Sequence, residues 1–439
     1  MALVKIEYDP MLSREPVKLP GSKSIAARAM ICRYVRGLDT ELVNLPDCDD
    51  TRELQAALSL LDSRIHDPLR RLREFGELPP ASLRFDLGNG GTSLRFFTAL
   101  AASMPDLEAE IDCAEGLKGR PLKPLIDELR RHGADITCLR REGYAPLLIR
   151  GRRLEDGPVI TDCGISSQFL SALLMARPLW RQRQQDVAEI EDRQENIVSA
   201  PYVRMTREVM EQFSAGPGRY VIESDWSAAS YFYALALACP EKPLTVESLT
   251  DPRVSIQGDS ICQKLFAWLG VDTVRLDADT HGPMMLRGNT STLGQNRKLG
   301  VPMTFDLKDS PDLTPALAVG MCLAGLPFDL ENIGHLKHKE SNRLVSISTE
   351  LGKAGFAVEA GAQDLRWSGR RYPVKDDETY EAWDDHRIAM SMAIMAVKLK
   401  WIGIRGAEVV SKSFKDYFEQ LRKVGFKINL AGGNTWKER

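Results

Sequence analysis

The chain has 439 residues, 43% of them apolar and 27% charged, with a formal net charge of −3. That length exceeds what one hydrophobic core fills, so more than one domain of ordinary globular composition is expected. The near-neutral balance excludes a general nucleic-acid or membrane-surface binder, so any cationic site must be local, made by a few convergent Lys and Arg.

The N-terminal MALVKIEYDP carries Lys5, Glu7 and Asp9, and so holds no apolar signal core. No run of 18 apolar residues follows, and no membrane span is expected. LPGSKSIAAR comes next: Pro20 and Gly21 break the chain, and Lys23, Ser24 and Arg28 open a helix. ELVNLP and LRFDLG read as strands, and the charged stretch 62–84 with its three prolines as a surface excursion. GNGGTSLRFFTALAA enters a helix near Thr92. In LKPLIDELRRHGADI, Leu122, Leu125, Ile126 and Leu129 share a face and Gly133 suits the stop. APLLIRG is a strand, ISSQFLSALLMA a helix from Ser166 or Ser167, and 214–219 (SAGPGR) a tight turn. RYVIES and PLTVESL are strands. DSICQKLFAWLGVDTVRL repeats helix, glycine, strand, as do SISTELGKAGFAVEA and YFEQLRKVGFKINL, which with the Leu122 segment makes four copies. Such repetition points to an internally repeated α/β (α+β) architecture. Further helices are expected from Ser310, with Asp312 in the first turn, and near Ser341, Asp385 and Ser411.

The eight cysteines include no C-x-x-C pair, which argues against zinc or redox chemistry and fits a reducing compartment, the cytoplasm. The six histidines form no H-E-x-x-H, so no metal is expected. A polar capping motif recurs where each helix begins, and helix N-termini seat anions. Capping alone explains Ser, Thr, Asp and Asn there. It does not call for Lys23, Arg28, Arg95, Arg120, Lys339, Arg343, Arg387 and Lys412 at or beside the same turns, a set that fits a multiply charged anionic ligand. A P-loop is excluded because Gly21 stands alone and Ser22 separates it from Lys23. LGNGGTSLR does not satisfy G-x-G-x-x-G, and no G-x-S-x-G elbow exists.

LPGSKSIAAR, LGNGGTSLR, RPLKPLIDELRRHGA, ISSQFLSALLMA, IVSAPYV, SDWSAASYF, DSPDLTPALAV, HKESNRL, DDHRIAMSMA and SKSFKDYF occur in that order. Together they resemble the 5-enolpyruvylshikimate-3-phosphate (EPSP) synthase family of enolpyruvyl transferases, from about residue 17 to 425. The resemblance implies two similar globular domains, each of three β-α-β-α-β-β repeats, with the active site in the interdomain cleft. It places one domain in 1–19 plus 227–439, the N-terminal strand returning to join the C-terminal half, and the other in 20–226.

The resemblance also implies transfer of the enolpyruvyl group of phosphoenolpyruvate to the 5-hydroxyl of shikimate 3-phosphate, with release of phosphate, on the route to chorismate. No cofactor, metal, nucleic acid or membrane is implied, and the chain is expected to be a monomer. Shikimate 3-phosphate is assigned to Lys23, Ser24, Arg28, Ser166, Ser167, Gln168, Ser199, Asp312 and Lys339. Phosphoenolpyruvate is assigned to Lys23, Gly91, Arg120, Gln168, Arg343, Arg387 and Lys412. Charge-assisted bonds and planar Arg forks suit these oxyanions, and Gly91 would let backbone approach the smaller ligand. Asp312 is the expected base at the hydroxyl, and Glu340 the group for the carbon-side proton, with Lys23 its partner. His386 is expected to orient or pack, and Tyr202 to lie over the shikimate ring or fill the wall.

This chain departs from the family pattern at Asn342, where Asp is usual, and at His335, where Asn or another polar residue is usual. Segment 62–84 replaces expected strand pairs, and the stretch between Tyr202 and Asp225 is short. Two alternative readings differ from this one at particular residues. The sister enzyme acting on UDP-N-acetylglucosamine carries a reactive Cys five residues before the Arg-Pro motif, where this chain has Glu115. A non-catalytic anion-binding descendant would not need carboxylates beside its cations.

Overall fold

The computed structural model describes residues 3–65, 81–105, 107–161, 166–180, 198–374, 379–399 and 401–430. The chain divides into two compact units, Met1–Ser22 with Glu223–Arg439, and Lys23–Ile222.

One strand order recurs in both units. In the discontinuous unit, Met303–Asp306 pairs parallel with Phe328–Glu331, which pairs antiparallel with Leu365–Trp367, flanked in turn by Glu359–Ala360. The helices Thr314–Ala324 and Arg343–Lys353 make the two connections. Thr379–Glu381, Ile402–Arg405, Leu3–Tyr8 and Phe426–Leu430 repeat that order with the same directions. The N-terminal strand thus completes the C-terminal repeat, with Ile6 opposite both Ile402 and Ile428. Its alternating burial suits a strand with one face on the core. A third sheet runs Leu244–Val246, Met284–Gly288, Val271–Arg275, and Val17 bridges parallel to Val246 at its edge. In the Lys23–Ile222 unit, Ala81–Asp86, Leu107–Asp112, Leu147–Arg150 and Asp135–Cys138 show the same order. Glu41–Val43 pairs parallel with Arg219–Val221.

All four helix–glycine–strand copies form. Each helix stops one to three residues before a glycine in the left-handed region, at φ 93° (Gly133), 108° (Gly270), 84° (Gly355) and 103° (Gly425). One copy lies in the Lys23–Ile222 unit and three in the other.

The helices that open on polar motifs continue as nearly all-apolar rods, and such helices must be buried. Every residue of Trp226–Ala238 is buried. It packs on Thr314–Ala324, where a Cβ at Gly320 would meet the Ala234 Cβ at 3.1 Å. Burying Phe232 and Phe266 contributes roughly 2 kcal/mol each. In the other unit Gly91–Ala102 packs on Gln168–Ala176, and Lys23–Val35 on Ala200–Ser214.

Two expectations are corrected. Residues 62–65 continue the helix Asp49–Ile65 and 81–84 lie in a strand, so the expected excursion does not hold there; its remaining residues, 66–80, lie outside those described. Ser411 does not start an α-helix: Ala407–Lys412 is a 3-10 turn, and the helix begins at Tyr417. Lys412 is therefore presented from a turn end, where no helix dipole assists it.

Candidate active site

The Lys23–Ile222 unit gathers one group of the expected residues at helix N-termini. Lys23 is the first residue of Lys23–Val35, and its Nζ lies 2.8 Å from Asp50 Oδ2, in the first turn of Asp49–Ile65. One turn on, Arg28 is fully buried. Its Nε donates to Thr206 Oγ1 (2.7 Å), one Nη to the Ser24 carbonyl (2.7 Å) and the other to Ser171 Oγ (3.3 Å) and the Tyr202 carbonyl (3.2 Å). The guanidinium also lies over the rings of Phe96 and Tyr202. All these partners are neutral, so burial pulls its pKa down to about 10, only partly opposed by Tyr202 and Cys32. A buried cation among neutral acceptors favours an added anion.

Gly91 opens Gly91–Ala102 beside two more cations. Arg95 is buried and donates to the Gly91 carbonyl (3.0 Å) and to Gln168 Oε1 (2.7 Å), while Gln168 Nε2 donates to Thr92 Oγ1 (2.9 Å). A Cβ at Gly91 would lie 2.6 Å from Arg120 Nη1. What presses on this glycine is therefore the Arg120 guanidinium. Arg120 Nε is buried without a hydrogen-bond partner among the described residues. Ser166 Oγ accepts from the Gln168 amide at 3.3 Å. Ser167 and Ser199 are buried at the starts of their helices, yet neither hydroxyl caps its own helix. Ser199 also holds φ 58°, a costly conformation for a non-glycine residue.

The other unit gathers the rest around Arg343, the first residue of Arg343–Lys353 and fully buried. Arg343 meets three carboxylates. Nε and one Nη contact Asp385 at 2.8 and 3.2 Å, the other Nη donates to Asp312 Oδ1 at 2.8 Å, and Glu340 Oε2 makes a very close ion pair. Burial alone would lower its pKa, but Asp385, Glu340 and Asp312 together hold it above the ordinary value. Arg387 contacts Asp312 Oδ2 at 2.8 Å, and Lys339 approaches Oδ1 at 3.5 Å. For Asp312 burial works upward, yet Arg387, Lys339 and Arg343 outweigh it and hold the carboxyl well below the usual range. The three cations thus favour its ionised form over the protonated one.

Asp385 is fully buried and caps His386–Ala393 through the Arg387 amide (3.0 Å), while Ser341 Oγ donates to it at 3.0 Å. Lys412 Nζ is held by the Asp384 carbonyl (2.7 Å) and carboxylate (2.8 Å). His386 Nδ1 stands 3.9 Å from Glu340 Oε1. Asn342 Oδ1 accepts from the Val345 amide at 3.4 Å, so this departure still supplies the helix cap that an Asp would. His335 is held neutral: burial, then Lys339, brings its pKa to about 4. Glu340, Asp385 and His386 bring ligand-type atoms within 4.8 Å of one another, but the Arg343 guanidinium already supplies the positive charge to both carboxylates.

Sequence reasoning missed the acids that set the cations. Asp50, in CDDTREL, was not singled out, and Asp385, in DDHR, was expected only as a helix start. Arg95 was noted as a cation, but its spacing of four from Gly91 gave no sign that it would donate back to that residue's carbonyl.

Buried guanidiniums at helix N-termini, with an ionised carboxylate framed by three cations, define an α/β enzyme that handles small anionic substrates. The EPSP synthase (3-phosphoshikimate 1-carboxyvinyltransferase) family model matches residues 12–421. A 3-phosphoshikimate 1-carboxyvinyltransferase of Bacteroides fragilis (strain YCH46) is 32% identical over 96% of this chain and 98% of its own. That of Bordetella pertussis (strain Tohama I) is 33% identical over 93% and 95%. Among solved structures, an EPSP synthase from Acinetobacter baumannii aligns with TM-score 0.65 at 18% identity, covering 98% of this chain and all of that one. The enolpyruvyl transferase NikO from Streptomyces tendae aligns at 0.64 and 15%, covering 98% and 99%. The chain belongs to the EPSP synthase family, and with it is a transferase of aromatic amino acid biosynthesis. No described helix is long and apolar enough to cross a membrane.

Proposed function

We propose that this chain transfers the enolpyruvyl group of phosphoenolpyruvate to the 5-hydroxyl of shikimate 3-phosphate, acting as a cytoplasmic monomer. The observation that carries the reading is Asp312, an ionised carboxylate held between Arg387, Lys339 and Arg343. A base so framed can take a hydroxyl proton while the cations hold the anions on either side.

Shikimate 3-phosphate is assigned to Ser24, Arg28, Ser166, Ser167, Gln168, Ser199, Asp312 and Lys339, with Lys23 shared between the substrates. The neutral surroundings of Arg28 and the uncapped hydroxyls of Ser167 and Ser199 support this. Phosphoenolpyruvate is taken by Gly91, Arg120, Gln168, Arg343, Arg387 and Lys412. The buried, unsatisfied Arg120 Nε supports that side. Glu340, with Lys23 as partner, gives a proton to the methylene carbon, so that C2 gains positive character, and the 5-hydroxyl oxygen bonds to C2 as Asp312 accepts its proton. Return of a methyl proton to Glu340 as the C2–O bond to phosphate breaks then releases phosphate and restores the enol ether. Glu340 is tied to Arg343. The carboxylate or phosphate of phosphoenolpyruvate arriving on Arg343 competes for that guanidinium and releases Glu340 for proton transfer.

The test is phosphate release by the purified protein with both substrates, each omitted in turn, without added metal or nucleotide. Release that requires both supports the transferase. Binding of both without release points instead to an anion-binding descendant.

A further inference from the structure

The turn that carries Asp384, Asp385 and Arg387 is an unfavourable piece of backbone. Trp383 and Asp384 both sit in the left-handed region, at φ 57° and 53°. Two consecutive non-glycine residues rarely stay there unless other contacts fix them. The turn nevertheless sets two cations of the site. Asp384 offers both its carbonyl and its carboxylate to Lys412, and Asp385 holds Arg343 by two bonds.

What fixes the turn is a carboxylate that the reaction does not use. Glu350 lies two helical turns beyond Arg343 on Arg343–Lys353, with none of its surface exposed. Its Oε1 accepts from Trp383 Nε1 at 2.7 Å, and its Oε2 from the Glu381 amide at 3.1 Å. Lys353 neutralises it at 3.0 and 2.9 Å. One carboxylate thus bonds the strand before the turn and the first residue of the turn, from the helix that begins with Arg343. We propose that Glu350 is a positioning residue: its buried carboxylate holds the left-handed Trp383–Asp384 turn, and through it the placement of Lys412 and Arg343.

The inference deepens the transferase reading and rests on it for the identity of the anion, phosphoenolpyruvate. Its test therefore needs one readout that requires turnover and one that does not. Three variants separate the contacts. Trp383→Phe removes the indole donor at a partly exposed position, Glu350→Gln removes the charge, and Lys353→Ala removes only the neutralising partner. Steady-state kinetics should show KM for phosphoenolpyruvate raised about threefold to tenfold in Trp383→Phe, the range expected for losing one hydrogen bond, and more in Glu350→Gln. KM for shikimate 3-phosphate should stay within about twofold in Trp383→Phe, and Lys353→Ala, which keeps both Glu350 bonds to the turn but leaves its buried charge unneutralised, should lower Tm while raising the phosphoenolpyruvate KM less than Glu350→Gln.

Acetylation of lysines followed by mass spectrometry supplies the second readout. Lys412, almost wholly buried in its Asp384 clamp, should label slowly in the parent and several-fold faster in Trp383→Phe. A phosphoenolpyruvate KM unchanged in Trp383→Phe, an equal rise for both substrates, or unchanged Lys412 labelling would overturn the proposal. A parent without turnover would instead overturn the transferase reading, and Lys412 labelling would then decide the positioning role alone.

Discussion

The Arg120 guanidinium lies so close over the Gly91 Cα that a side chain there would meet Nη1 at 2.6 Å and the central guanidinium carbon at 2.9 Å. Arg95 Nη1 stands 3.0 Å from the same point. The obstructing atoms are ends of flexible side chains, so Gly91→Ala should fold normally. As the first residue of a helix it should if anything gain stability, by up to about 1 kcal/mol. What it loses is cation position. Steady-state kinetics should show KM for phosphoenolpyruvate raised about tenfold or more with Tm unchanged or slightly higher. An unchanged KM would separate Arg120 from that substrate.

Asp312→Asn keeps one acceptor oxygen and nearly the same volume between Arg343 and Arg387. Shikimate 3-phosphate should still bind by calorimetry. Turnover should fall about a hundredfold to ten-thousandfold, the range for removing a general base. Near-parental kcat would remove Asp312 from that role.

The helix starts were legible because capping residues and apolar runs are local signals. Lys23, Gly91, Gln168, Arg343 and His386 each open a helix within two residues of the motif that announced it. The glycine stops were legible for the same reason. The N-terminal strand pairing with Ile402–Arg405 was legible only through family resemblance, since nothing local in LVKIEY specifies a partner some 400 residues away. Least legible was the pairing of charges. Eight cations near helix starts read as an excess awaiting an anion, whereas Arg343, Arg387 and Lys412 are matched to Asp385, Glu340, Asp312 and Asp384. Ion pairing depends on which turns the fold brings together, and the left-handed Trp383–Asp384 turn that makes it so has no glycine to mark it.

Asp385 ties together more of its unit than its place in DDHR suggests. Removing it by Asp385→Ala takes two bonds from a fully buried Arg343, the Arg387 amide cap and the Ser341 contact. Leaving a buried charge short of its partner costs about 3–5 kcal/mol, and losing a cap about 1 kcal/mol more. Urea denaturation should show a loss of at least about 3 kcal/mol. The same measurement on Asp384→Ala, whose carboxylate is largely exposed, should show about 1 kcal/mol or less. Equal losses would contradict this division.

Asp259 is buried beside the site and takes a hydrogen bond from Ser227. Burial first, and then the Asp312 charge, raise its pKa to about 7, partly opposed by the Ser227 bond. An acid whose folded pKa is raised binds its proton more tightly in the folded chain than in the unfolded one, where it titrates near 4. Its stabilising contribution is therefore complete below about pH 4 and is lost as pH rises through about 7. Asp259→Asn imitates the protonated acid and cannot titrate. The difference in unfolding free energy between variant and parent should thus shift in the variant's favour from about pH 5 to about pH 7, at up to about 1.4 kcal/mol per pH unit. Subtracting the parent's curve cancels the groups shared by both proteins, including Asp312, whose lowered pKa acts in the opposite direction. A difference constant across that window would mean that Asp259 is already ionised in the folded protein, with its charge met by Arg387 rather than by a proton.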